Sequence, residues 1–419
     1  MKTARVSWVF LLVVTLLASM GCTTRFGPLE LQGRPAMVAE QGKSRLWVLT
    51  KQEEIRKVGA TGRRSGLWPD ATLFHFQVQV FDPVTARPLW SRRVVTIGDA
   101  RPAMRRKIIG SAAGGRILGQ AGDLVWLVVD DKPIALALAN GAQAADAATI
   151  EQRNPKLQGL LPVEAQHFGF DRGLVLMTSD ARRFVIRGAD LQAQPYTPPT
   201  PVAATPERKA NGMPVIVPTP PYGEIPARQV VLAGQWLGLY SQREAQDAGD
   251  DPTGMHLRWP YTVINEGALA RRTFWRSKVI ETRRWDERIR RLAVLSPIPE
   301  APTFLKGRFL KDLTTREPLL LKSPDGVAVW HSTRVDRDGR LALTRLDANL
   351  REQWTAELPL SESSTANQVM YWMLPDRIVA MGDLLTQEEG TSRRTPHLVS
   401  LSLRDGSQSA WNLPHDQAR

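Results

Sequence analysis

One cysteine, Cys22, serves all 419 residues. That scarcity excludes an intrachain disulfide, and with it the stapled scaffolds of small secreted domains; it also excludes metal sites built on several thiolates. Histidine is sparse too. The six present are His75, His167, His256, His331, His397 and His415, and no two stand at the spacing that places a pair of imidazoles on one helix face. The chain has no Gly-x-Ser-x-Gly turn to expose a nucleophilic serine. Gly110–Gly115 is glycine-rich but lacks the Lys-Ser/Thr that completes a phosphate loop. Asp130 and Asp131, and the run Asp247, Asp250 and Asp251, lack the spaced oxygen ligands of a calcium loop. No catalytic residue, metal ligand or cofactor is therefore expected. Long apolar runs are missing as well: Val9–Leu17 is too short for a bilayer core that needs about 20 helical residues.

What stands at the start is a compact signal. Lys2 and Arg5 precede the apolar run, which ends in small residues at Ala18-Ser19-Met20-Gly21-Cys22. An exposed free thiol is a liability in an oxidising compartment, so a lone cysteine at a cleavage point is best accounted for by modification. The segment resembles the lipobox of bacterial lipoproteins, with Gly21 in place and Ser19 where leucine is preferred. The resemblance implies that residues 1–21 are removed and that Cys22 carries lipid. Thr23, where an inner-membrane retention signal would have Asp, implies the periplasmic face of the outer membrane of a Gram-negative cell. A cleaved secretory signal with an unmodified Cys22 is the alternative.

The formal charge is +13, and falls by two when Lys2 and Arg5 leave. Such a balance favours anionic partners, which in a cell envelope means phospholipid, acidic glycan or acidic protein surface and not nucleic acid. With 42% hydrophobic residues the chain has enough apolar material for a large core.

The chain repeats itself in two beats. The first is a polar turn before an apolar strand: Gly122-Asp123 before LVWLVV, Asp171–Gly173 before LVLM, Gly234-Gln235 before WLGLY, Asp325-Gly326 before VAVW, and Asp376-Arg377 before IVAM. The second is an apolar strand running into Asp82, Asn140-Gly141, Asp190, Asp347 or Asp405-Gly406. Phe76, Val78 and Val80 alternate with His75, Gln77 and Gln79, the two-residue period of a strand with one face expected in a core and the other outward. Asp, Asn and Gly at the bends favour tight turns. The 157 residues from Asp190 to Asp347 predict two hidden repeats between them. Short sheets recurring at about this spacing pack radially, so the expected fold is all-β: a β-propeller of four-stranded antiparallel sheets, seven blades, with six or eight as alternatives.

Asp82-x-x-Thr85-x-x-x-x-Trp90 is similar to the repeat signature of quinoprotein-like propellers, with Ala86 where that signature has Gly. The resemblance implies that Trp90, Trp354 and Trp411 pack between neighbouring blades. The expected organisation is a tether at 22–36, one propeller at 37–413, a loop insertion at 195–226 with ten prolines, and a tail at 414–419.

One segment concentrates positive charge around aromatic rings: Arg271, Arg272, Trp275, Arg276, Arg283, Arg284, Trp285, Arg288, Arg290 and Arg291. Basic side chains interleaved with tryptophan suit an anionic ligand. A solvated, salt-bridged face is the plainer alternative, and helix and strand pair are both compatible with the spacing. Three functions fit the sequence. The first is a lipid-anchored, non-enzymatic envelope scaffold, expected to be monomeric and to bind a protein partner. The others are a quinone-dependent dehydrogenase and a propeller that binds acidic glycans.

Overall fold

The structure, a computed structural model, describes residues 24–56, 71–98, 114–198, 215–216, 229–242, 244–245, 271–284, 287–309, 326–336, 338–361, 369–388 and 391–413. Cys22, the signal segment, Trp285, the tail 414–419 and most of the proline-rich insertion lie outside the described residues.

Six sheets follow one another along the chain. The first holds β1 (Thr24–Leu31), β2 (Ala36–Glu40), β3 (Lys43–Arg56), β4 (Ala71–Phe81) and β5 (Pro88–Gly98). The second holds β6 (Gly115–Ala121), β7 (Leu124–Val129), β8 (Lys132–Ala137) and β9 (Gln143–Asp146), and leads into helix α1 (Ala147–Arg153). The third is β10 (Phe168–Phe170), β11 (Leu174–Met177), β12 (Arg183–Ile186) and β13 (Ala193–Pro195). The fourth contains β14 (Val215–Ile216), β15 (Gln229–Leu232), β16 (Gln235–Tyr240), β17 (Arg271–Arg284), β18 (Glu287–Pro297) and β19 (Phe304–Leu305). The fifth is β20 (Arg308–Phe309), β21 (Gly326–Ser332), β22 (Arg340–Asp347) and β23 (Glu352–Ser361). The sixth is β24 (Met370–Met373), β25 (Arg377–Glu388), β26 (Thr391–Ser402) and β27 (Gln408–Asn412). In the second, third, fifth and sixth sheets each strand pairs antiparallel with the next, which is the meander of a propeller blade. The fold class is thus all-β with propeller blades.

Both beats of the repeat fall on hairpins. The first lies between the first and second strands of a blade, and the second between the third and fourth. In the second beat the side-chain oxygen of Asn140, Asp190, Asp347 or Asp405 accepts the amide two residues on, at 2.9, 3.2, 2.9 and 3.1 Å. The same turns each place one residue in the left-handed region: Ala86 (φ 58°), Gly141 (66°), Leu191 (61°), Leu350 (61°) and Gly406 (73°). Ala86 therefore adopts the conformation that the glycine of the signature serves, without the freedom of a glycine.

Continuous apolar strands arise because both faces are buried. In β7, Val125, Leu127 and Val129 join Trp47, Leu49, Phe76 and Val78 of the first sheet, while Leu124, Trp126 and Val128 join Leu174, Leu176 and Ile186 of the third. In β21, Val327 and Val329 pack with Leu239 and Phe274 of the fourth sheet, and Ala328 and Trp330 with Ile378 and Ala380 of the sixth. Successive residues thus serve two cores, as the two-residue period requires. Two tryptophans lock neighbouring blades. A Cβ on Gly141 would stand 2.6 Å from the Trp90 ring, and one on Gly406 would stand 2.9 Å from Trp354, so only glycine admits either ring. Trp47 meets Trp90 edge-on, with ring centroids 5.1 Å apart.

The described chain divides into two compact units. One carries the first three sheets with Leu413, and the other the last three with Val84–Ala86. Three expectations need revision. Thr24–Leu31 is no tether, since it pairs with β3 from Thr24↔Arg56 to Leu31↔Thr50. One sheet, not two, lies between the third and the fifth among the described residues, which gives six in all. That interval also holds the proline-rich segment and a hairpin with strands of 14 and 11 residues, so its length does not count blades. Finally, the polar face of β4 is not outward: His75 and Gln79 are buried, as are Thr50, Gln52 and Glu54 on β3.

Candidate functional site

The arginine-rich segment is a strand pair, which decides the choice left open by its spacing. β17 and β18 run antiparallel from Arg284↔Glu287 to Trp275↔Pro297, with an irregularity between Arg276 and Ser277. The base of the hairpin is built into the blade. Thr273–Ser277 pairs with Tyr240–Trp236 of β16, and Phe274 enters the core shared with the fifth sheet.

Arg272 does not belong to a ligand surface. Its side chain is 4% exposed, and it grips the 1% exposed Glu244 through Nε at 2.9 Å and Nη2 at 2.9 Å. Nη1 donates to the Gly307 carbonyl at 3.2 Å, and the Glu244 carboxylate also accepts the Ser241 amide at 2.8 Å. A guanidinium fork suits such a two-pronged contact, and burial of both partners makes breaking the pair expensive. Trp275 is half-buried and donates its indole N–H to the Tyr240 carbonyl at 3.1 Å. Arg271, Arg276 and Lys278 are exposed.

Among the described residues, Lys278–Arg284 pairs with β18 alone, in the register Glu281↔Arg290, Arg283↔Arg288 and Arg284↔Glu287. This distal half carries Lys278, Arg283, Arg284, Arg288, Arg290 and Arg291 against Glu281 and Glu287. Arg283 and Arg288 stand at paired positions of the ladder. The sequence-predicted cluster is therefore split: Arg272 is structural, Trp275 is anchored to the blade, and Arg283, Arg284, Arg288, Arg290 and Arg291 share the distal half of one hairpin.

A second polar arrangement was not legible as a motif. Glu54 on β3, His75 on β4 and Thr96 on β5 form a chain: the carboxylate meets Nε2 at 2.6 Å, and Thr96 Oγ1 meets Nδ1 at 2.9 Å. His75 stands directly opposite Thr96 in the ladder. Glu54 and His75 are buried while Thr96 is exposed, so the chain links an interior carboxylate to a surface hydroxyl. A related chain in the fifth sheet runs from His331 Nε2 to Thr344 at 2.8 Å, to Thr355 at 2.7 Å, and to Glu352 at 2.8 Å. Such chains satisfy polar groups on sheet faces removed from water. The only advance signal was the polar alternation around His75. Among the described residues no three His, Cys, Asp or Glu side chains are grouped to hold a metal ion, and no helix is long and apolar enough to cross a membrane.

The turn carboxylates are strongly acidic. Hydrogen bonds from the Ser407 hydroxyl, then Ser402 and the Ser407 amide, hold Asp405 at about 2. Hydrogen bonds from Arg182 and Thr178 do the same for Asp180, also about 2.

No protein-family model and no curated protein matches the chain. Among solved structures it is similar to the WD40 domain of SCAP from fission yeast, with 8% identity covering 94% of this chain and 91% of that one. The TM-score of that likeness is 0.16, so the fold assignment rests on the sheets themselves.

Proposed function

We propose that this protein is a non-enzymatic binding or assembly scaffold of the cell envelope, held by lipid on Cys22 at the periplasmic face of the outer membrane. The observation that carries the reading is the fourth sheet. Its base is locked into a blade by the Arg272–Glu244 pair, while its distal hairpin concentrates cationic residues. A blade that carries such a concentration of positive charge suits recognition of another, acidic macromolecule. The first strand supports close tethering: β1 begins at Thr24, so a lipid on Cys22 would hold the first sheet within about 7 Å of chain from the acyl chains. Two or more acyl chains are needed for stable anchoring. Membrane fractionation of Cys22→Ser tests the anchor, with release expected and retention in the membrane fraction contradicting it. Capture from envelope extracts by the intact protein should recover a partner that Arg290→Glu/Arg291→Glu loses.

A second reading has one observation in its favour. The Trp90–Gly141 and Trp354–Gly406 contacts fit the blade-locking role of tryptophan in quinoprotein-like repeats. On that reading the chain would be a quinoprotein-like propeller able to hold a quinone cofactor with calcium. A thermal shift on mixing the purified protein with pyrroloquinoline quinone and calcium would favour it, and no shift would favour the scaffold.

A further inference from the structure

The hydrogen-bonded chain of the first sheet has the order that activates a hydroxyl. Three neighbouring strands contribute one residue each to one sheet face: Glu54 from β3, His75 from β4 and Thr96 from β5, with His75 directly opposite Thr96 in the ladder. Glu54 Oε2 lies 2.6 Å from His75 Nε2, and Thr96 Oγ1 lies 2.9 Å from Nδ1. A carboxylate can only accept, so it takes the Nε2 hydrogen, and Nδ1 of the neutral ring is then the acceptor for the Thr96 hydroxyl. The Glu54 and His75 side chains are each 6% exposed and all three residues are fixed by strand pairing, whereas Thr96 stands at the surface. The chain in the fifth sheet has a different order. There two hydroxyls, of Thr344 and Thr355, separate His331 from Glu352, so that carboxylate receives a hydroxyl where Glu54 receives an imidazole.

An orienting carboxylate, an imidazole base and an exposed hydroxyl in hydrogen-bonded series are the relations that make a weak nucleophile reactive. We propose that Thr96 is a nucleophilic acceptor site that takes an acyl group from an activated carboxylic ester. Thr96 Oγ1 attacks the ester carbonyl carbon while His75 Nδ1 takes its proton. The new bond from Thr96 Oγ1 to the acyl carbon replaces the bond to the leaving alcohol, which departs with the proton held by His75. Glu54 is a positioning residue: it acts through the imidazole, holding its tautomer and balancing the charge of the transient imidazolium. Base assistance of this kind contributes about 10²–10⁴-fold, which suits a donor with a good leaving group and not a peptide amide. The inference goes beyond the scaffold reading and does not depend on it.

The test mixes the intact protein with p-nitrophenyl acetate and follows acetylation of Thr96 by peptide mass spectrometry. Thr96 is expected to react about 100-fold faster than the exposed Thr355, which serves as the internal reference. Thr96→Ser is expected to keep the reaction and Thr96→Val to leave the site unmodified. His75→Gln is expected to slow acetylation of Thr96 by about 100-fold, and Glu54→Gln to slow it by a smaller factor and displace its pH–rate profile. Melting temperature monitors folding of the two buried variants, while the comparison with Thr355 needs only the parent protein. No acetyl group on Thr96, equal rates at Thr96 and Thr355, or acetylation confined to lysines overturns the proposal. Acetylation of Thr96 at the parent rate in folded His75→Gln also overturns it. If Thr96 stays unmodified while Cys22→Ser is released from membranes, the nucleophile is wrong and the anchored-scaffold reading stands.

Discussion

The first and fourth sheets solve the same problem in different ways. In the first, β5 supplies an 11-residue outer strand, and its Trp90 closes against Gly141 of the next blade. In the fourth, the corresponding outer strand is β18, also 11 residues long, and the two-residue β14 pairs beyond it in parallel. A tryptophan closes the outer strand of the first sheet against the next blade, whereas in the fourth a buried Arg272–Glu244 pair fastens the strand beside the outer one. The difference teaches that blades of one repeat can be fastened by aromatic closure or by a buried ion pair.

The largest expected effect comes from breaking that ion pair. Glu244→Ala leaves Arg272 buried without its carboxylate, and should destabilise the second unit by about 3–5 kcal/mol in denaturant unfolding. A loss below about 1 kcal/mol would show that the hairpin is not held by this pair. In the first unit, Gly141→Ala combines a left-handed backbone with a Cβ driven into Trp90, and should cost about 2–3 kcal/mol by the same measurement. Trp90→Gly combined with Gly141→Ala should recover the steric part, which a double-mutant cycle would reveal.

How much of this was readable beforehand depended on whether the physics was local. The turn chemistry at Asn140, Asp190, Asp347 and Asp405 needs only neighbouring residues, so both beats of the repeat located their hairpins. Strand periodicity likewise identified β7, β11, β16, β21 and β25. The burial of His75 and Gln79 depends on what lies over a sheet face, and alternation cannot distinguish a solvated polar face from a buried, hydrogen-bonded one. Arg272 was hidden for a similar reason: in sequence it is one of ten cluster residues, and only Glu244, 28 positions away, separates it from Arg271. Six sheets is the lower of the counts the sequence allowed, because length between Asp190 and Asp347 is spent on a long hairpin and a proline-rich segment.

Smaller effects sharpen the contrast further. Arg290→Ala/Arg291→Ala should change stability by less than about 0.5 kcal/mol, since these residues lie opposite Ile280 and Glu281, beyond the stretch of β17 that pairs with β16. Equilibrium unfolding would show this, and a loss near that of Glu244→Ala would mean that the distal hairpin is structural. The smallest effect concerns a turn of the sixth sheet. Asp405 titrates at about 2, below the usual carboxylate near 3.9, so its stabilisation is present above about pH 4 and is lost as pH falls through 2. Asp405→Asn should therefore melt slightly below the parent protein at pH 6, and the gap should close near pH 2.

The most direct test of a blade fastened at its base by the buried ion pair is native-state hydrogen exchange along β17 in the parent protein and in Glu244→Ala. The account predicts that the amides of Thr273–Ser277, in the stretch that pairs with β16, are protected in the parent and lose most of that protection in the variant, while β22 and β26 keep theirs. Unchanged protection of Thr273–Ser277 in Glu244→Ala would contradict it.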